Sequence, residues 1–174
     1  VVDGLDETRR RVEHHLVLPR LPYGTDHSIL VAGCGTSQAA RYAAMFPSAQ
    51  VVGIDVSTAS LDHTRRLATQ HGLANLELHE LPIENVGHLD REFDQIVCTG
   101  VLHHLADPDA GLADLKGLPR LRELWLNGTP VGDAGLEHVA AIAGLRELQI
   151  LNTKVTGKGI EKLKKARPGL TVEQ

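Results

Sequence analysis

The 174-residue sequence predicts an α/β fold of three layers, in which one parallel sheet with strand order 3-2-1-4-5-6-7 lies between helices. Three observations predict it. Apolar strand-like runs alternate with helical stretches, one run ends in the glycine-bracketed turn Gly33-Cys34-Gly35, and the last third repeats itself every 24 residues. Alternation of β and α segments favours parallel pairing, because each helical crossover carries the chain back to the same end of the sheet with right-handed sense.

Composition sets the bounds. With 42% hydrophobic residues the chain can bury a substantial core, and a net charge of −4 with scattered lysines and arginines carries no electrostatic footprint for nucleic acid. No apolar run approaches the roughly 20 residues that span a bilayer, and no leader opens the chain, so a cytoplasmic placement is expected. Two cysteines, Cys34 and Cys98, are too few for a disulfide framework and are expected as free thiols in a reducing compartment. The start at Val1-Val2, without methionine, reads as a trimmed fragment.

The elements follow in order. Asp6 to Leu18 is charged, with Val12 and Leu16 four apart on one helix face and Arg9, Arg10 and Arg11 on a solvated one, and Pro19 and Pro22 end it. Ser28–Ala32 is a strand, and Ala32 to Thr36 forms the turn, where glycine tolerates positive φ and lets a ligand approach the backbone. Ser37 to Ala44 is helical, Pro47-Ser48-Ala49 breaks it, and Gln50–Asp55 is the second strand. A buried parallel strand ending in a carboxylate, about 20 residues past a glycine turn, suits a pair of ribose hydroxyls. The competing role for Asp55 is to cap the next helix, with Ser57 and Thr58 as rival caps. Ser57 to His71 is that helix, with Leu61 and Leu67 facing inward and Gly72 as its stop. Leu76 to Leu81 is a third strand ended by Pro82, Ile83 to Arg91 a loop or short helix, and Phe93 to Cys98 a fourth strand.

Gly33-Cys34-Gly35-Thr36, Val52-Gly53-Ile54-Asp55-Val56-Ser57, Phe93 to Cys98, and Val101-Leu102-His103-His104-Leu105 with Asp107-Pro108 together resemble a class I S-adenosylmethionine-dependent methyltransferase of Rossmann-like fold. The resemblance covers about Ser28 to Leu112. It implies that Gly33, Cys34 and Gly35 line the methionine part of S-adenosylmethionine, with Ala32 and Thr36 beside them among the cofactor-binding residues. It further implies that Asp55 accepts from the ribose and that Val56 flanks the adenine. Pro82 and Ile83 stand where the family carries an acidic pair member, so the Ile83 backbone and Glu84 are left for the adenine amine. Thr99 and Gly100 would close the site. Val31 occupies a position where the family has an acid, and Ser37 replaces the third motif glycine. His103 and His104 read as wall residues rather than a metal pair, since neighbours in a helix do not converge.

Beyond Leu112 the family pattern stops. Leu121-Arg122-Glu123-Leu124-Trp125-Leu126-Asn127-Gly128-Thr129-Pro130-Val131 is echoed by Leu145-Arg146-Glu147-Leu148-Gln149-Ile150-Leu151-Asn152-Thr153-Lys154-Val155, and a third strand begins at Leu170. The pattern resembles leucine-rich repeats, each unit giving a short strand, a turn at the threonine and a helix near Leu136-Val139-Ile142 or Ile160-Leu163. Two repeats need a neighbour to cover their apolar faces. The fourth strand can supply it, so residues 113–174 are expected to share one sheet with residues 1–112. Strands five to seven are then expected at Leu121 to Leu126, Arg146 to Leu151 and Leu170 to Glu173.

The family's Pro-Gly-Gly turn and final antiparallel hairpin, which shape the substrate pocket, are missing. The sequence therefore reads as an engineered or recombined chimera: a methyltransferase-like scaffold that binds S-adenosylmethionine or S-adenosylhomocysteine without turnover. Two alternatives are an active small-molecule methyltransferase and an interaction module. In the second, a protein partner meets the polar strand face of Arg122, Glu123, Arg146, Glu147 and Gln149, which is otherwise read as solvated.

Overall fold

The computed structural model describes residues 27–98 and 107–174. The helix expected over Asp6 to Leu18, the pair Thr99 and Gly100, and the His103-His104 motif lie outside the described residues.

Seven strands form one sheet in the order β3-β2-β1-β4-β5-β6-β7. They are β1 (Ser28–Ala32), β2 (Gln50–Asp55), β3 (Leu76–Glu80), β4 (Gln95–Val97), β5 (Glu123–Trp125), β6 (Glu147–Gln149) and β7 (Thr171–Glu173). Every pairing among them is parallel. The helices between them are α1 (Gln38–Met45), α2 (Thr58–His71), α3 (Asp133–Ala140) and α4 (Gly157–Ala166), with 3-10 segments at Ile83–Leu89 and Ala110–Gly117.

Register explains why the two halves of the chain share one core. Val52, Leu30, Ile96, Leu124, Leu148 and Val172 are consecutive partners across six strands. Alternate side chains point to opposite faces of a sheet, so one apolar row lies on one side without a break. It packs on Ile83, Val86, Leu112, Leu115, Leu136, Val139, Ile160 and Leu163. The opposite face carries Ile29, Val31, Val51, Val97 and Trp125, against Ala39, Tyr42 and Ala43 of α1 and Leu61 of α2.

Some expectations change. The regular ladder of β4, β5 and β6 covers three residues each rather than six. Single bonds outlast it at either end, such as Cys98 N–H to Trp125 O at 2.9 Å and Arg122 N–H to Asp94 O at 2.7 Å, before the chain turns away. On α2 the buried residues are Leu61 and Thr64, while Leu67 is half-buried; six residues from Leu61 at 100° each is a third of a turn off the buried face. Glu123 and Gln149 are not solvated. They are 6% and 3% exposed, because the two-residue period places them on the face of Val97 and Trp125.

The 24-residue period is also a period of geometry. The Thr129 hydroxyl donates to Leu126 O at 2.6 Å, and Thr153 does the same to Ile150 O at 2.9 Å. The residues just before them, Gly128 and Asn152, both take positive φ, 69° and 56°. Asp109 Oδ1 accepts from Gly132 N–H, and Asp133 Oδ1 accepts from Thr156 N–H, each at 2.8 Å. The carboxylates of Asp109 and Asp133 fill the space that a Cβ would need at Gly135 and Gly159. The period therefore begins at Asp109, inside the stretch that resembles the methyltransferase family: Asp109-Ala110-Gly111-Leu112 is the same tetrapeptide as Asp133-Ala134-Gly135-Leu136.

Candidate functional site

The site lies at the carboxyl ends of β1, β2 and β3, where the strands of an open parallel sheet release their loops. β1 ends at Ala32, and the chain then turns through Gly33 and Gly35, both in the left-handed region at φ 60° and 53°. A side chain there would be strained, which accounts for the two glycines. Ser37 has φ −154°, so the third glycine of the motif is not demanded by the backbone. Cys34 N–H donates to Ile54 O at 3.0 Å and Cys34 O accepts from Gln38 N–H at 3.1 Å, which fixes the turn between β2 and the first turn of α1. Gly53 lets these elements approach: a Cβ there would stand 2.6 Å from Leu78 Cδ2, 2.8 Å from Ala39 Cβ and 3.2 Å from Cys34 Sγ.

Asp55 joins the two loops. Its Oδ2 accepts from Gly35 N–H and its Oδ1 from Ser57 N–H, both at 2.8 Å. Ser57, not Asp55, caps α2, its hydroxyl oxygen accepting from Ser60 N–H at 3.3 Å. Asp55 is thus free of the rival capping role and sits half-buried at the rim. Each carboxylate oxygen has accepted one amide and retains a further lone pair. Next to it Val56 is 68% exposed, an unusual position for an aliphatic side chain beside a carboxylate.

The third loop is anchored to the second by Leu81 N–H to Asp55 O at 3.1 Å. Pro82 precedes the 3-10 segment, in which Ile83 is buried in the core and Glu84 is exposed. Ile83 can therefore offer a ligand only its backbone. Val31, at the position of the missing acid, is fully buried.

Cys34 and Cys98 are both buried and free. Burial, and for Cys34 the neighbouring Asp55 charge, pushes both thiols up to about 12, so neither is a thiolate at neutral pH. Among the described residues no group of three or more His, Cys, Asp or Glu is arranged to hold a metal ion, and no helix is long and apolar enough to cross a membrane.

Sequence reasoning singles out the turn, Asp55, Val56 and the third loop; of these the structure joins the turn to Asp55 through the Gly35 amide and leaves Val56 exposed. The same reasoning misses Thr64. That side chain is fully buried on α2, and its hydroxyl lies 3.1 Å from Gly35 O and 3.0 Å from Ser60 O. The signal was a hydroxyl in the apolar stripe three residues after Leu61.

Known proteins share this fold. Residues 29–118, just over half the chain, match the family model described as a methyltransferase domain. An uncharacterized protein of Synechococcus is 45% identical over 89 residues, covering 50% of this chain and 21% of the relative. The ubiquinone biosynthesis O-methyltransferase of Acinetobacter baylyi is 32% identical over 81 residues, covering 46% of this chain and 34% of that enzyme. The chain thus spans about a fifth to a third of the length of these curated relatives. Among solved structures, PKMT2 from Rickettsia typhi in complex with AdoHcy is 26% identical, with a TM-score of 0.52 over 59% of this chain and 21% of that one.

Proposed function

The chain belongs to the methyltransferase domain family, and from that premise we propose that it is a methyltransferase-like scaffold that binds S-adenosylmethionine and its demethylated product S-adenosylhomocysteine. The observation that carries this reading is the Asp55 carboxylate, held at the carboxyl end of β2 by the Gly35 and Ser57 amides beside an exposed Val56. The likeness to a structure in complex with AdoHcy supports it. The residues fit the group. A carboxylate with spare lone pairs accepts from a ribose diol, Val56 offers an apolar face to adenine, and Ala32 to Thr36 present backbone to the amino-acid end. The Ile83 backbone and exposed Glu84 beyond Pro82 receive the adenine amine. The bound cofactor supplies an electrophilic methyl group; these residues bind and orient it.

Beyond the family match the chain is a chimera, recombined or engineered, whose last third consists of leucine-rich-repeat units that complete the sheet. The 24-residue geometry and the all-parallel pairing of the described strands support this reading, since the family's final antiparallel hairpin has no counterpart among them. The first domain then ends near Leu112, with the first repeat helix shared between the two patterns. Because the elements that hold a methyl acceptor are replaced, the scaffold binds without turnover. The free thiols suit a reducing, cytoplasmic setting. A second reading, an active methyltransferase for small molecules, draws on the likeness to the ubiquinone biosynthesis enzyme.

Calorimetric titration with S-adenosylmethionine and S-adenosylhomocysteine tests the proposal. The parent should bind both, and Asp55→Asn should weaken binding about 10- to 100-fold, the worth of a hydrogen bond to a charged group. No heat from the parent removes the cofactor; equal affinity in the variant removes Asp55. Methyl incorporation into a panel of phenolic acceptors would favour the second reading.

A further inference from the structure

α2 contributes more than packing to the glycine turn. Its inward stripe runs from Leu61 to Thr64, and at Thr64 the helix buries a hydroxyl completely where an aliphatic side chain would fill the core. Burying a hydroxyl costs free energy unless it finds an acceptor. Two carbonyls share its single proton: Ser60 O of its own helix at 3.0 Å, the usual back-bond of a helical threonine, and Gly35 O, 29 residues earlier in the chain, at 3.1 Å. On the other side of the same residue, Gly35 N–H donates to Asp55 Oδ2 at 2.8 Å.

Gly35 is therefore gripped at both ends, and it is the residue for which grip matters most. At φ 53°, with no side chain of its own and open space where a Cβ would stand, it depends on its backbone bonds for its place. A glycine free to leave the left-handed region would swing its amide off Asp55. The Cys34 thiol, 3.8 Å from Gly35 O, is too weak a donor to replace the Thr64 hydroxyl.

We infer that Thr64 is a positioning residue that holds Gly35 so that the turn is preformed for the cofactor, an inference that rests on the cofactor reading for its consequence but not for its geometry. Thr64→Val keeps the shape and removes the hydroxyl, and Thr64→Ser restores it. In the full chain without ligand, hydrogen exchange at the Gly35 amide should speed up about tenfold in Thr64→Val and return to the parental rate in Thr64→Ser. Titration with S-adenosylhomocysteine should show affinity lowered about tenfold in the valine variant and recovered in the serine one, with melting temperatures close to the parent in both. Unchanged exchange at Gly35 in Thr64→Val overturns the inference, as does failure of Thr64→Ser to restore it. If exchange responds as expected while the parent gives no heat, Thr64 keeps its role in the turn and the cofactor reading alone falls.

Discussion

The sheet is built by two different rules on either side of β4. From β1 to β3 the strands are five or six residues long, α1 and α2 pack on one face and the 3-10 segment Ile83–Leu89 on the other, and the decisive bonds are singular: Asp55 to Gly35, Thr64 to Gly35. From β5 to β7 each strand has three residues, and the bonds that shape the turns recur 24 residues on, Thr129 with Thr153 and Asp109 with Asp133. The first half creates a position that occurs once and can serve a ligand. The second creates the same position repeatedly, which makes a good wall and an unspecific site. A repeat can nonetheless complete a non-repetitive sheet, provided that it offers the right row at the seam, as Leu124 does beside Ile96.

The comparison breaks most visibly if the halves are not one cooperative unit. Leu148 is fully buried in the shared row, so Leu148→Ala should cost about 3 kcal/mol. In urea the loss should appear at the same concentration by far-UV circular dichroism and by exposure of the Cys34 thiol, which lies in the other half. Separate transitions would mean two independent domains.

The next effect concerns Glu123. Burial, with Glu147 and Asp94 nearby, raises its carboxyl from 4.5 to about 7. A folded value above the unfolded one means that the folded state holds the proton more tightly. Its stabilisation is complete below about pH 4.5 and is lost as pH rises through 7. Glu123→Gln should flatten that slope and leave the protein about 2 kcal/mol more stable than the parent at pH 8. A variant whose melting temperature follows pH as the parent's does would refute the assignment.

Smaller effects sharpen the twinning itself. Gly128→Ala and Asn152→Ala each force an alanine into the left-handed region and should each cost about 1 kcal/mol, whereas Asn152→Gly should be neutral or slightly stabilising. Markedly unequal costs for the two alanine variants would show that the turns are alike in shape only. The smallest change expected is in Asp133→Ala, which removes an exposed carboxylate that Thr156 holds, through its amide and its hydroxyl, below the usual carboxylate range. Its loss should lower the melting temperature less than Leu148→Ala, Gly128→Ala or Asn152→Ala does, and the difference should vanish at acid pH, where the parental carboxylate is protonated too.

Much of this was legible in the sequence because it depends on periodicity and punctuation. The strand order, Ser28–Ala32, Gln50–Asp55 and the stop at Gly72 follow from apolar runs, proline and glycine. Asp55 was legible as a strand-end carboxylate, and its two amide bonds were not, since they depend on where two loops meet in space. Thr64 looked like an ordinary helix residue until the fold set it under Gly35. Glu123 looked solvated because charge suggests a surface, whereas the strand period turned it inward. The overlap at Asp109 is present in the letters themselves, but the same letters follow Asp107-Pro108, which the methyltransferase pattern includes.

Trp125 belongs to β5, yet its ring lies 6.2 Å from that of Tyr42 on α1, at 60° to it. It is the chain's single tryptophan. The protein thus carries an optical gauge fixed across its own seam: tyrosine-to-tryptophan energy transfer and the emission wavelength report how closely the two construction schemes are pressed together, with no label attached. Any ligand that tightens the turn at the head of α1 would be read out in the same signal.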